Sequence, residues 1–134
     1  MNTDVAAQKA FDQLAKVGFD LLAEQEKILA AVWMFEAQVA NRGFAKYFSG
    51  SAGDIAFYAP TAFKAIGARQ KARIAAKANG VFGADGPPKD RAARRELVHA
   101  FGAKAKRLLD ALETEFYESP EDVDELLEAY LNKK

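Results

Sequence analysis

The chain contains no cysteine, which removes disulfides, thiol nucleophiles and thiolate metal sites and fits a reducing compartment. Histidine occurs once, as His99. A hydrolytic triad needs a base held between a nucleophile and an orienting group, and His99 sits in no such motif. Histidine-based zinc sites need two or more such ligands, so one histidine cannot supply them, and neither a metal nor a cofactor is expected. No run reaches the roughly eighteen apolar residues of a spanning helix. Met1 to Lys16 carries acidic and polar residues throughout and no apolar block, so no signal peptide is expected and the location is expected to be cytoplasmic. Valine, isoleucine and threonine are sparse, and no stretch alternates apolar and polar residues over a strand length.

What the chain has in quantity is alanine, leucine, lysine and glutamate, the strong helix formers. Its 134 residues are 50% apolar, enough to bury a core without a disulfide or metal staple. The expected fold is all-α: a single domain over residues 1–134, a compact bundle of about six to seven helices.

Periodicity and breakers place the helices. The first is expected from Asp4 to Lys16, with Val5, Phe11, Leu14 and Ala15 inward and Gly18 as terminator. The second, from about Asp20 to Val39, is apolar on most of its circumference, including Leu21 and Leu22, and should be central. Asn41-Arg42-Gly43 breaks it, and Gly43 to Phe48 forms a short further turn. Ser49 to Asp54 reads as a flexible loop, with Asp54 the N-cap of a helix through Ile66 that Gly67 closes. Arg69 to Asn79 is the next helix, and Gly83 to Lys89 is a connector. A long helix is expected from Asp90, with Leu97, Phe101, Leu108 and Leu112 along one stripe. Ser119 as N-cap and Pro120 at the first position open a last helix whose buried side is Val123, Leu126, Leu127, Tyr130 and Leu131.

The net charge is zero, but the zero is a cancellation between segments. Residues 64–107 hold twelve basic side chains against three acidic, and residues 108–132 hold nine acidic and none basic. Those nine are Asp110, Glu113, Glu115, Glu118, Glu121, Asp122, Asp124, Glu125 and Glu128. On helices they fall about one per ~4 Å. One DNA strand carries a charge about every 3.4 Å, so the segment could present a surrogate phosphate track to a basic partner.

Other residues support rival chemistry. Glu36 lies in the most apolar helix, where burial would raise its pKa, as a general acid or base requires. A carboxylate there can equally bond to a backbone group of the Asn41 to Phe44 turn. Arg69, Arg73 and Lys77 share one helix face and, with Arg91, Arg94, Arg95, Lys104, Lys106 and Arg107, could meet phosphates. A solvated basic face is the plainer reading. Gly50 and Gly53 match neither dinucleotide nor Walker spacing.

The run from Glu36 through Asn41-Arg42-Gly43-Phe44, the aromatic pair Tyr47-Phe48 and the Ser49-to-Asp54 turn resembles the DNA-mimic protein nineteen-like family of bacteria. Ala65-Ile66-Gly67-Ala68, Leu109 to Tyr117 and Asp122 to Leu127 are similar to it as well, and together they cover roughly residues 24–131. Arg42 stands where the family has the first of two glycines. The resemblance implies an all-helical fold and, for the named member, an acidic surface that occupies the DNA-binding face of a helix-turn-helix regulator. Glu36, Asn41, Gly43, Phe44, Tyr47, Phe48 and Asp54 are then expected to hold the fold.

The expected function is that of a non-enzymatic protein whose nine C-terminal carboxylates bind a basic protein, either a helix-turn-helix regulator or a toxin that it neutralises as an immunity protein. A nucleic-acid-binding module built on residues 69–77 and 91–107, and a small enzyme centred on Glu36 and Asp54, are the rivals. Neither a membrane nor a nucleic acid is the expected partner, and a homodimer is left open. From sequence alone, amide substitutions at Glu121, Asp124, Glu125 and Glu128 should weaken partner capture in a pull-down with little change in melting temperature.

Overall fold

The computed structural model describes residues 3–133. Among them lie seven α-helices and three 3-10 segments, and no strand. Helix α1 (Thr3–Val17) is followed by a 3-10 turn at Phe19–Leu21 and by the long α2 (Glu24–Ser49). A 3-10 stretch, Ser51–Tyr58, leads into α3 (Ala59–Ala65) and α4 (Arg69–Asn79). After a 3-10 turn at Gly80–Phe82 come α5 (Arg91–His99), α6 (Ala103–Glu118) and α7 (Val123–Asn132).

Helix α2 is central, as its apolar circumference predicts, and touches α1, α3, α5, α6 and the 3-10 stretch before α3. Phe35 is the hub of its core. Around its ring sit Phe63 at 5.0 Å, Tyr47 at 5.1 Å, Phe44 at 5.7 Å and Phe116 at 5.8 Å between centroids. Edge-on aromatic pairs of this kind add to area burial. Alanines let the neighbouring helices approach closely: Ala6 and Ala10 on α1, Ala59 and Ala62 on α3, and Ala72, Ala75 and Ala78 on α4 are buried.

The break at Gly43 is a kink inside α2. Gly43 has φ 82° and ψ 173°, and helical hydrogen bonding resumes beyond it through Ser49. The residues from Gly43 to Phe48 therefore continue α2 at a new angle, and Phe44, Tyr47 and Phe48 all enter the core. A kink interrupts the backbone ladder, freeing the Phe44 N–H and the Ala40 carbonyl that would otherwise bond to each other. Helix α6 supplies both replacements. Glu113 Oε1 accepts from the Phe44 N–H at 2.7 Å, and the Tyr117 hydroxyl donates to the Ala40 carbonyl at 2.8 Å. Asn41 is not a terminator: it is exposed within α2 and donates from its side chain to the Ala37 carbonyl.

Several boundaries differ from expectation. Helix α2 starts at Glu24 rather than Asp20, because Gly18 (φ 83°) and the 3-10 turn intervene. Glu26 Oε1 accepts from the Ala23 N–H at that start. Leu21 is consequently exposed while Leu22 is buried. Val5 and Ala15 face water, and the buried side of α1 is Ala6, Ala7 and Ala10. The long helix expected from Asp90 is two helices, broken before Gly102, with Asp90 as N-cap of α5 accepting from the Ala93 N–H. That break shifts the helical phase, so Leu97 and Leu108 are exposed while Val98, Leu109 and Leu112 are buried. The last helix begins at Val123 with Asp122, not Ser119, as N-cap. Gly67 (φ 85°) closes α3 as expected, with the Ala68 N–H reaching back to the Phe63 carbonyl at 2.9 Å.

A methyl group on Gly43 would meet Glu113 Oε1 at 2.6 Å and hold a left-handed φ. Gly43→Ala is therefore expected to destabilise by roughly 1–3 kcal/mol in urea unfolding. Asn41→Ala should stay within about 0.5 kcal/mol.

Candidate functional site

The nine C-terminal carboxylates divide into two groups. Three belong to the fold. Glu113 holds the α2 kink. Glu121 caps α4, its two oxygens accepting from the Gln70 and Lys71 N–H groups at 2.9 Å each. Asp122 caps its own helix by accepting from the Glu125 N–H. The other six, Asp110, Glu115, Glu118, Asp124, Glu125 and Glu128, have no hydrogen-bond or ion-pair partner among the described residues; five are exposed and Glu115 is half-buried.

The ion pairs of the described residues are Lys71–Glu36, Arg91–Asp54 and Arg94–Asp54. None joins a carboxylate of α6 or α7 to the basic segment. The acidic and basic stretches are not zipped together, and Glu121 meets α4 through backbone rather than through its cations. Arg69, Arg73 and Lys77 are exposed along α4, as the spacing predicts. Lys104, Lys106 and Arg107 are exposed on α6.

The arginines of α5 are committed elsewhere. Arg94 is fully buried at the end of α2. Its Nε donates to the Phe48 carbonyl, its Nη2 to the Gly50 carbonyl at 2.8 Å and Asp54 Oδ1 at 2.7 Å, and its Nη1 to the Pro88 carbonyl at 2.9 Å. Arg91 grips the other oxygen of Asp54 at 2.7 Å, and Arg95 donates to the Ser49 carbonyl at 2.7 Å. Asp54 thus caps no helix; it is the counter-charge of Arg94. The stretch around it is packed rather than a flexible loop, since Ala52, Gly53 and Ile55 are buried. Gly53 has no room for a side chain: a Cβ would lie 2.7 Å from the Phe48 carbonyl oxygen and 2.8 Å from Arg94 Nε.

Glu36 bonds to no backbone group of the kink. Both its oxygens accept from Lys71 Nζ, at 3.1 and 3.2 Å, and Lys71 is itself buried, with its ammonium 4.3 Å from the Phe116 ring centre. Burial pushes the Glu36 carboxyl up; Lys71 opposes this, and the charges of Asp124 and Glu121 add to it. Glu36, Trp33 and Ala37 of α2 and Val123, Asp124 and Leu127 of α7 line a groove of about 250 Å³. Trp33 Nε1 is buried there without an acceptor. His99 is exposed at the end of α5, and no group of three or more metal-ligating side chains gathers among the described residues. No helix among them is long and apolar enough to cross a membrane.

The molecule is therefore an all-helical protein in which Gly43, Phe44, Phe48 and Asp54 of the motif run sit at the joints of one long helix. It belongs to the DMP19-like protein family, whose model matches residues 20–134. Helix α1 precedes the matched region. No curated protein and no solved structure matches the chain.

Burial pushes the Asp54 carboxyl up, but the hydrogen bonds and charges of Arg91 and Arg94 outweigh it and hold the group below its ordinary value. Its folded pKa is thus lower than its unfolded one, so its stabilisation is present above about pH 4 and is lost as pH falls through the folded value. Asp54→Asn should be less stable at neutral pH and should show a shallower loss of stability below about pH 4 in urea titrations. Glu36 has the opposite sign: its contribution is lost as pH rises through its raised folded pKa. Arg94→Met leaves the Phe48, Gly50 and Pro88 carbonyls without their buried donor and Asp54 with Arg91 alone, and should cost ~3–5 kcal/mol.

Proposed function

We propose that this DMP19-like protein is a non-enzymatic interaction protein that captures a basic protein through the free carboxylates of α6 and α7. One observation carries the reading: Asp110, Glu115, Glu118, Asp124, Glu125 and Glu128 have no partner among the described residues, although residues 64–107 hold twelve cations. Carboxylates with no internal counter-charge are available to another molecule. Their two supporting helices are pinned to the core, α7 through Val123, Leu127 and Leu131 and α6 through Leu109, Leu112 and Phe116. A rigid display of like charge raises association rate and specificity more than raw affinity, and its effect is lost in salt.

The family supports the same direction, since the DNA-mimic reading requires an acidic surface on a helical scaffold. The partner class is a helix-turn-helix regulator or a toxin that is itself basic. The carboxylates weighed for catalysis, Glu36 and Asp54, are both held in ion pairs with buried cations, Lys71 and Arg94. That favours structural roles for them.

Glu121 leaves the set of residues whose change should spare stability, because it caps α4. Glu118→Gln, Asp124→Asn, Glu125→Gln and Glu128→Gln together should weaken capture of the partner by roughly tenfold or more while shifting the melting temperature by less than about 4 °C. Wild type and variant are compared in pull-downs from the native host at low and high salt, with bound proteins identified by mass spectrometry. Equal capture by both would remove the acidic face from the function. A low-salt gel shift of duplex DNA that disappears in an Arg69→Gln, Arg73→Gln variant would move the function to α4.

A further inference from the structure

A second polar surface is assembled from segments about fifty residues apart in sequence. At the far end of α2, Arg42, Lys46, Ser49, Gly50 and Ser51 face Arg95 and His99 of α5 across an open groove of about 610 Å³. No aspartate or glutamate lines it, and no described carboxylate lies within ion-pair distance of Arg42, Lys46, Arg95 or His99.

The groove lies at a helix C-terminus, where exposed carbonyls ordinarily repel anions. Here three of those carbonyls already accept from arginine. The Phe48 and Gly50 carbonyls accept from Arg94, and the Ser49 carbonyl accepts from Arg95 at 2.7 Å. Arg95 uses only its Nε in that bond, so both terminal nitrogens of its guanidinium remain as donors. The bond fixes the plane of the fork, as two-point recognition of an oxyanion requires. Arg42 and Lys46 line the same groove, and their side chains make no hydrogen bond or ion pair among the described residues. Two serine hydroxyls and the His99 imidazole add neutral or cationic donors.

We propose that this groove binds the phosphate or diphosphate group of a small molecule. Its volume falls in the range of small-ligand pockets, about 300–1,000 Å³. Arg42, Lys46 and Arg95 line this one concavity, whereas Arg69, Arg73 and Lys77 are spaced along one exposed helix face, the arrangement that contacts to a nucleic-acid backbone would follow. The site is independent of the acidic face, so neither proposal needs the other.

Titrating pyrophosphate and inorganic phosphate into the 15N-labelled protein at low salt tests it. Saturable shifts are expected at the amides of Lys46, Ser49, Ser51 and Arg95, with pyrophosphate tighter than phosphate. Arg42→Gln with Lys46→Gln removes two exposed, unbonded cations, so the fold should keep its melting temperature while affinity falls by roughly tenfold or more. Arg69→Gln with Arg73→Gln should leave affinity unchanged. The proposal is overturned if the groove amides do not move, if the α4 variant weakens binding as much as the groove variant, or if a short DNA duplex competes pyrophosphate off the groove at lower phosphate concentration.

Discussion

The fold turns on a broken backbone ladder and its repair. Gly43 interrupts α2 in the middle of the molecule, and the two groups it separates, the Phe44 N–H and the Ala40 carbonyl, are taken up by Glu113 and Tyr117. The Phe44 N–H is part-buried, and leaving such a donor unpaired costs roughly 1–3 kcal/mol, so Glu113 of α6 supports the kink, while the exposed Tyr117–Ala40 bond adds a second tie. Once made, the kink delivers Phe44, Tyr47 and Phe48 to the aromatic cluster around Phe35. An unbroken α2 would rotate these rings off the core. Glu113 and Tyr117 are four residues apart, which puts them on one face of α6 and fixes the register of that helix against α2.

Arg94 performs the same service at the end of α2, binding the Phe48 and Gly50 carbonyls while Asp54 balances its charge. Both joints use a charged side chain from a distant segment to satisfy backbone groups of one helix. This separates the charges into those the fold consumes and those it leaves. Glu113, Glu121, Asp122, Asp54, Glu36, Lys71 and Arg94 are consumed. The acidic surplus of α6 and α7 and the exposed cations of α4 and α6 remain, and the fold gives no account of them.

The helical class, the centrality of α2 and the burial of Phe44, Tyr47 and Phe48 were legible because periodicity and breakers act locally. The family-like stretches around residues 36–54 and 109–117 were legible as motifs, but nothing in their spacing shows that they meet. Glu113 was indistinguishable from its eight acidic neighbours, and Arg94 from the rest of a basic run, because a charged residue carries no mark of the partner it will find. Asp54 looked like an N-cap for the reason that most aspartates after a glycine loop do; the arginine that claims it lies forty residues on. The split between α5 and α6 was hidden by a leucine stripe that runs through Gly102 without a proline.

Helix α6 is charged against its own dipole. The N-terminal half of a helix favours acids and the C-terminal half favours bases, each worth about 0.3–1 kcal/mol. Helix α6 has Lys104 and Lys106 in its first turn and Glu115 and Glu118 in its last. Four charges in the unfavourable sense are a local inconsistency of the kind that natural sequences keep mainly at functional positions. Packing does not demand it, since Lys104, Lys106 and Glu118 are exposed. Nor does the zero net charge speak against an acidic binding face. At physiological ionic strength the screening length is about 8 Å, so a partner at contact senses the few carboxylates beneath it and not the sum over the molecule. A helix arranged against its dipole, with an unpaired acidic end, is what a protein selected for local charge display would retain at some cost in stability.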